Sequence, residues 1–193
     1  KNKETEYKEN NARLKLNVEK VYFSPRSSEE RKRIFKQVKN NETVLVMFSG
    51  SGIYPLVIIK NSEAKEIHGI EINPTAHKYA LENLKLNKAE DKIKLYLGDV
   101  KKILPKISKK FDRIIMPLPK GAEDFLKLAL NKIKKNGIIH FYSFVEETKF
   151  DKIIEFINKE CKQNKKQCKI IDIVKCGQFS PRVYRICVDF KVK

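Results

Sequence analysis

Five consecutive apolar residues, Val44-Leu45-Val46-Met47-Phe48, run straight into Ser49-Gly50-Ser51-Gly52. A short unbroken apolar run suits a strand covered on both faces, as in a parallel sheet flanked by helices. Small residues directly after it permit a sharp turn and let the backbone come close to a ligand. The sequence downstream keeps the same rhythm. Strands are predicted at Glu66–Ile72, Ile93–Leu97, Arg113–Met116 and Ile138–Phe144. Helical stretches are predicted near Pro55–Lys60, Pro74–Leu86, Val100–Ile107, Gly121–Ile133 and Lys149–Cys161. Two last strands, about Cys168–Val174 and Tyr184–Val192, have no clear helix between them. The expected fold is therefore α/β, a mostly parallel doubly wound sheet with an antiparallel edge.

Upstream the pattern differs. Residues 1–11 are polar and read as loop. Arg13–Val18 alternates polar and apolar, a strand signal, and Lys20–Phe23 reads as a second short strand. Ser24-Pro25-Arg26 breaks it, and Ser27 is expected to start a helix with Glu30 at capping-box spacing and Ile34 and Val38 facing inward. The boundary falls between Val38 and Thr43. Residues 1–40 are expected to form a small hairpin-and-helix segment, and residues 41–193 a Rossmann-like domain. A chain of 193 residues, 41% of them hydrophobic, can bury one such core. No apolar run approaches the roughly 20 residues of a membrane span, and the polar start shows no secretory signal. The first residue is Lys rather than Met, so a fragment lacking upstream sequence is expected.

Cys161, Cys168, Cys176 and Cys187 form no CxxC pair and have no His at ligand spacing, so reduced thiols and no metal are expected. Net charge is +18, from 42 basic and 24 acidic residues. That excess suits a polyanionic partner such as nucleic acid. The competing account is a Lys-, Asn- and Ile-rich proteome, in which the excess is solvated surface.

The candidate ligand site gathers at strand ends. Glu71 ends the second strand of the α/β region, 21 positions after Gly50. A carboxylate about 20 residues beyond the glycine turn accepts hydrogen bonds from ribose hydroxyls. Asp99, in Gly98-Asp99-Val100, ends the third strand, where it can meet an adenine amine. The set indicates an adenosine ligand. A dinucleotide fingerprint needs a third glycine where Pro55 stands. S-adenosylmethionine, whose adenosine carries no pyrophosphate, escapes that requirement. Its expected contacts are Phe48, Ser49, Gly50, Gly52, Glu71, Ile72, Asp99 and Val100.

Tyr22-Phe23-Ser24-Pro25-Arg26, Glu30-Arg31, Met47–Gly52, Glu71-Ile72-Asn73-Pro74, Gly98-Asp99-Val100 and Met116-Pro117-Leu118-Pro119-Lys120 occur in this order. Together with Phe179-Ser180-Pro181-Arg182 near the end, the series resembles the archaeal and eukaryotic tRNA guanine-37 N1-methyltransferases. It also resembles their sister family, which transfers the aminocarboxypropyl group of S-adenosylmethionine in wybutosine synthesis. The resemblance implies a class I S-adenosylmethionine methyltransferase fold, a tRNA substrate, a cytoplasmic monomer, and neither metal nor membrane. Three departures stand out. Val46 replaces an Asp that members often carry, Pro117 replaces a frequent Asn, and the family's small N-terminal tRNA-gripping domain is not among these residues.

N1 of guanine carries a proton, so its methylation needs a base and a positive group near O6. The resemblance implies Glu30 as the base and Arg31 as the O6 or phosphate partner. It implies Tyr22 as an aromatic face for the base, and Arg26 as a contact for a phosphate or the methionine carboxylate. Pro117 ends its strand beside the sulfonium and can offer only a carbonyl. That disfavours exocyclic-amine chemistry. The alternatives are aminocarboxypropyl transfer on the same scaffold and a non-catalytic RNA-binding module. His68, His77 and His140 are expected to pack or face solvent.

Overall fold

A computed structural model describes residues 3–193. Two compact units divide the chain, one running to Lys106 and the other from Ile107 to Lys193. The first unit opens with a hairpin of β1 (Glu4–Glu9) and β2 (Ala12–Asn17), followed by α1 (Ser28–Gln37). It continues with β3 (Thr43–Met47), α2 (Ile53–Asn61), β4 (Glu66–Glu71), α3 (Pro74–Leu86), β5 (Ile93–Leu97) and the short α4 (Val100–Ile103). β5, β4 and β3 lie side by side and parallel. Every residue of β3 is buried, as its unbroken apolar run requires.

The hairpin replaces the loop expected for residues 1–11, of which Lys1 and Asn2 lie outside the described residues. Asn10 and Asn11 turn it with φ of 44° and 61°, conformations that Asn tolerates better than most side chains. Lys20–Phe23 forms no strand. Val21 tucks inward while Tyr22 is 86% exposed, so the segment is an extended loop held at single points.

Two asparagines fasten the hairpin to α3. Asn83 Oδ1 accepts from Lys15 N at 2.7 Å and its Nδ2 donates to Lys15 O at 2.9 Å. Asn87, one turn on, does the same for Arg13, at 2.9 and 2.6 Å. Four helical residues rise about 6 Å and two strand residues about 6.8 Å. Side-chain amides at i and i+4 can therefore meet alternate residues of a strand edge, where each presents both its N–H and C=O.

The second unit holds β6 (Phe111–Met116), α5 (Leu126–Lys132), β7 (Ile133–Glu146), α6 (Phe150–Gln163), β8 (Cys168–Ser180) and β9 (Val183–Val192). β6 and β7 are parallel, and β9 and then β8 add to β7 antiparallel. The main sheet thus has seven strands, mostly parallel with an antiparallel edge, the predicted α/β architecture. The cysteine expectation is corrected here. α6 and β8 are joined by a turn short enough to bring Cys161 and Cys168 to a Cα separation of 6.1 Å, and they are disulfide-bonded. Cys176 and Cys187 remain free thiols.

Candidate cofactor and substrate site

The turn after β3 is strained at its first residue. Phe48 has φ of 62°, unfavourable for an aromatic side chain, and Gly50 and Gly52 have φ of 57° and 87°. Ser49 N donates to Ile70 O at 2.9 Å, tying the turn to β4. A Cβ built on Gly50 would meet nothing within 4 Å, so open space lies above this backbone. The hydroxyls of Ser49 and Ser51 are buried with no hydrogen-bond partner among the described residues.

Glu71 organises the turn. Its Oε2 accepts from Gly50 N at 2.7 Å, and its Oε1 accepts from Asn73 N at 2.8 Å. Each carboxylate oxygen keeps a second lone pair for a ligand hydroxyl. The neighbouring Ile72 is 65% exposed and Leu97 is 49% exposed. Glu71 and Leu97 are direct partners across β4 and β5, so the carboxylate and the apolar side chains share one strand end. Asp99 caps α4 through Lys101 N at 2.8 Å, and Val100 behind it is buried. A carboxylate pair for ribose and adenine, exposed apolar side chains and an open glycine backbone fit an adenosine moiety.

His77 lies on α3 near Glu71. Burial holds its imidazole below the ordinary value of 6.5, against the opposing pull of the Glu71 carboxylate. Asn73 caps the same helix, accepting from Thr75 N and Ala76 N, and its Nδ2 donates to Lys20 O at 3.1 Å. The loop carrying Tyr22 is thus pinned to the residue two beyond Glu71. Asn83 adds a further link, because its Nδ2 also donates to Ser51 O at 3.1 Å.

Glu30 and Arg31 point to different partners. The predicted capping box is not used, since Ser27 caps α1 without a side-chain hydrogen bond. Glu30 is buried and both its oxygens accept from Arg33, at 2.7 and 2.8 Å. Arg31 is 3% exposed and makes a two-point pair with Glu9 of β1, each contact 2.5 Å. It also donates to Ser24 O at 3.1 Å and lies 5.3 Å from the centroid of the Phe23 ring. Tyr7 packs edge-on against Phe23, with centroids 5.0 Å apart. Arg31 therefore grips the loop that precedes α1, while Arg26 and Tyr22 are exposed on that loop.

In the second unit, Pro117 follows β6 in a tight turn, with Leu118 N donating to Met116 O at 2.8 Å. The turn is held to β7 by Phe144 N donating to Pro119 O at 3.1 Å. Elsewhere in this unit His140, Cys187 and Asp189 cluster within 4.8 Å. His140 Nδ1 lies 2.6 Å from Asp189, and Arg113 sits 2.7 Å from its Nε2. A guanidinium at the imidazole opposes a cation, so the cluster reads as a buried polar network joining β6, β7 and β9. No spacing rule in the sequence shows it, because its members come from three strands.

A family model described as the TRM5/TYW2 methyltransferase domain matches residues 5–171. The chain is similar to the tRNA (guanine(37)-N(1))-methyltransferase Trm5b of Methanocaldococcus jannaschii, 39% identical over 188 residues, or 97% of this chain and 52% of that protein. It is also similar to the tRNA(Phe) (4-demethylwyosine(37)-C(7)) aminocarboxypropyltransferase of the same organism, 32% identical over 97% of this chain and 75% of that protein. The crystal structure of M. jannaschii Trm5 in complex with adenosine matches 100% of this chain and 56% of that one, with a TM-score of 0.87 and 38% identity. The chain spans about half the length of the Trm5b relatives it matches.

Proposed function

Because this chain belongs to the TRM5/TYW2 methyltransferase domain family, we propose that it binds S-adenosylmethionine and methylates N1 of guanine 37 in tRNA. The observation that carries this reading is the Glu71 carboxylate, held by Gly50 N and Asn73 N with lone pairs left for a ribose. The adenosine complex of a relative with the same fold supports the ligand class. When bound, S-adenosylmethionine supplies an electrophilic methyl group.

The residues of the chain do the rest. Glu30 accepts the N1 proton, while Arg33 balances its charge and fixes its direction. Arg31 acts through the loop it grips, setting where Tyr22 and Arg26 stand. Tyr22 offers its exposed ring to the target base, and Arg26 meets a phosphate or the methionine carboxylate. Pro117 presents a carbonyl to the base. Residues 1–40 thus carry substrate-facing groups, and residues 41–193 the cofactor fold. No described helix is long and apolar enough to cross a membrane. A tRNA substrate assigns the work to the cytoplasm.

Aminocarboxypropyl transfer is the second reading, favoured by one observation: the chain is also 32% identical, over 97% of its length, to a tRNA aminocarboxypropyltransferase. Incubation of S-adenosylmethionine with unmodified tRNA transcripts and, in parallel, with tRNA carrying 4-demethylwyosine, each followed by nucleoside mass analysis, separates the two. A methylguanosine from the unmodified transcript supports the first reading, and its absence, with or without an aminocarboxypropyl product from the 4-demethylwyosine tRNA, removes it. Single-turnover assay of a folded Glu30→Gln variant then tests the base. The expected loss is about 100- to 10,000-fold, partly recovered at higher pH. A rate near that of the parent would remove Glu30 from the chemistry.

A further inference from the structure

Phe179 is an aromatic side chain left 66% exposed at the end of β8. It is not loose. Its ring lies against Phe144 with centroids 4.3 Å apart and planes 33° from parallel. Phe144 is the residue whose N–H bonds to Pro119 O, in the turn that follows β6. Strand register places Val183, the first residue of β9, opposite Glu146 near the end of β7. The β8–β9 turn therefore stands at the carboxyl ends of β6 and β7, the edge at which open α/β sheets bind their ligands.

Three cations on the segments around this edge are open to an anion. Arg182 sits in the turn with φ of 60°, and its side chain is exposed. Lys152 on α6 and Lys120 after Pro119 are also exposed. None of the three has a carboxylate partner among the described residues. The nearby acids Glu146 and Glu147 are answered by Lys149 at 2.5 Å and Lys175 at 2.6 Å. Glu123, beside them, accepts from Ser143 Oγ at 3.1 Å. A half-supported aromatic face with unpaired cations on the neighbouring segments is an arrangement that can hold a nucleobase and its flanking phosphates.

We propose that Phe179, backed by Phe144, is a stacking platform for an unpaired nucleotide adjoining the target base, with Arg182 and Lys152 on its phosphates. The proposal rests on the RNA reading given above and adds a contact to it. Base stacking on a protein aromatic tolerates any base, so the platform supplies grip and register rather than sequence choice.

The test uses the full chain and an unmodified tRNA transcript carrying 2-aminopurine next to the target guanine. Wild type, Phe179→Ala and Phe179→Trp are compared for equilibrium affinity, for fluorescence quenching and for S-adenosylmethionine binding. Phe179→Ala is expected to bind the transcript about 5- to 150-fold more weakly and to lose the quench. Phe179→Trp is expected to keep both, and all three proteins to bind cofactor alike. Unchanged transcript affinity and quench in Phe179→Ala overturns the platform. If wild type still forms methylguanosine, the function stands without it. If the quench depends on Phe179 but no modified nucleoside forms, the platform stands and the proposed function falls. A wild type that does not bind the transcript ends both.

Discussion

Glu71 holds two backbone donors before any ligand arrives, so its removal affects both the turn and the ribose contact. Glu71→Ala should weaken S-adenosylmethionine binding by about 1.5–3 kcal/mol, the range for hydrogen bonds to a charged group, read by calorimetric titration. Its neighbour reports the same carboxylate. His77 should titrate below 6.5 in proton NMR, and Glu71→Gln should lower the midpoint further by removing the one influence that raises it. A depressed folded value means that the unfolded chain takes up the proton first. The His77 contribution to stability is thus present above about 6.5 and declines as pH falls towards the folded midpoint. Glu71 and the glycine turn were legible in the sequence because strand, turn and carboxylate follow one another at fixed spacing. The partner of Arg31 was not. Glu9 lies 22 positions upstream on a strand whose polar residues gave no sign of burial.

Regular elements were mostly legible too, for a related reason. α3 was predicted over its full extent, since Asn73-Pro74 marks its start and apolar periodicity its body. The N-terminal hairpin was harder. β1 reads Glu-Thr-Glu-Tyr-Lys-Glu, with an exposed outer face, and its alternation carries almost no apolar signal. What steadies the hairpin is polar and distant, the amides of Asn83 and Asn87. Removing one amide leaves a partly buried strand N–H and C=O without partners. Asn87→Ala should therefore cost about 1–3 kcal/mol, seen as a lower urea midpoint with an unchanged slope. A midpoint equal to that of the parent would show that β2 is held by apolar contact alone.

Across the whole molecule, an excess of 18 positive charges suits a polyanionic partner, the tRNA proposed above. If about six phosphates are neutralised on binding, tRNA affinity should fall roughly a thousandfold between 50 and 200 mM salt. A flat response in a filter-binding series would make the charge a property of composition alone. The order of the chain bears on how the molecule forms in time. β2 is synthesised before α3, and the amides that receive it come 68 and 74 residues later. Contacts so far apart in sequence form only after a long loop closes. During synthesis the hairpin emerges well ahead of its dock, its outer edge open, and waits until α3 has been made. The segment proposed to meet the substrate is thus made before the residues that secure it, and it takes its place only after they fold.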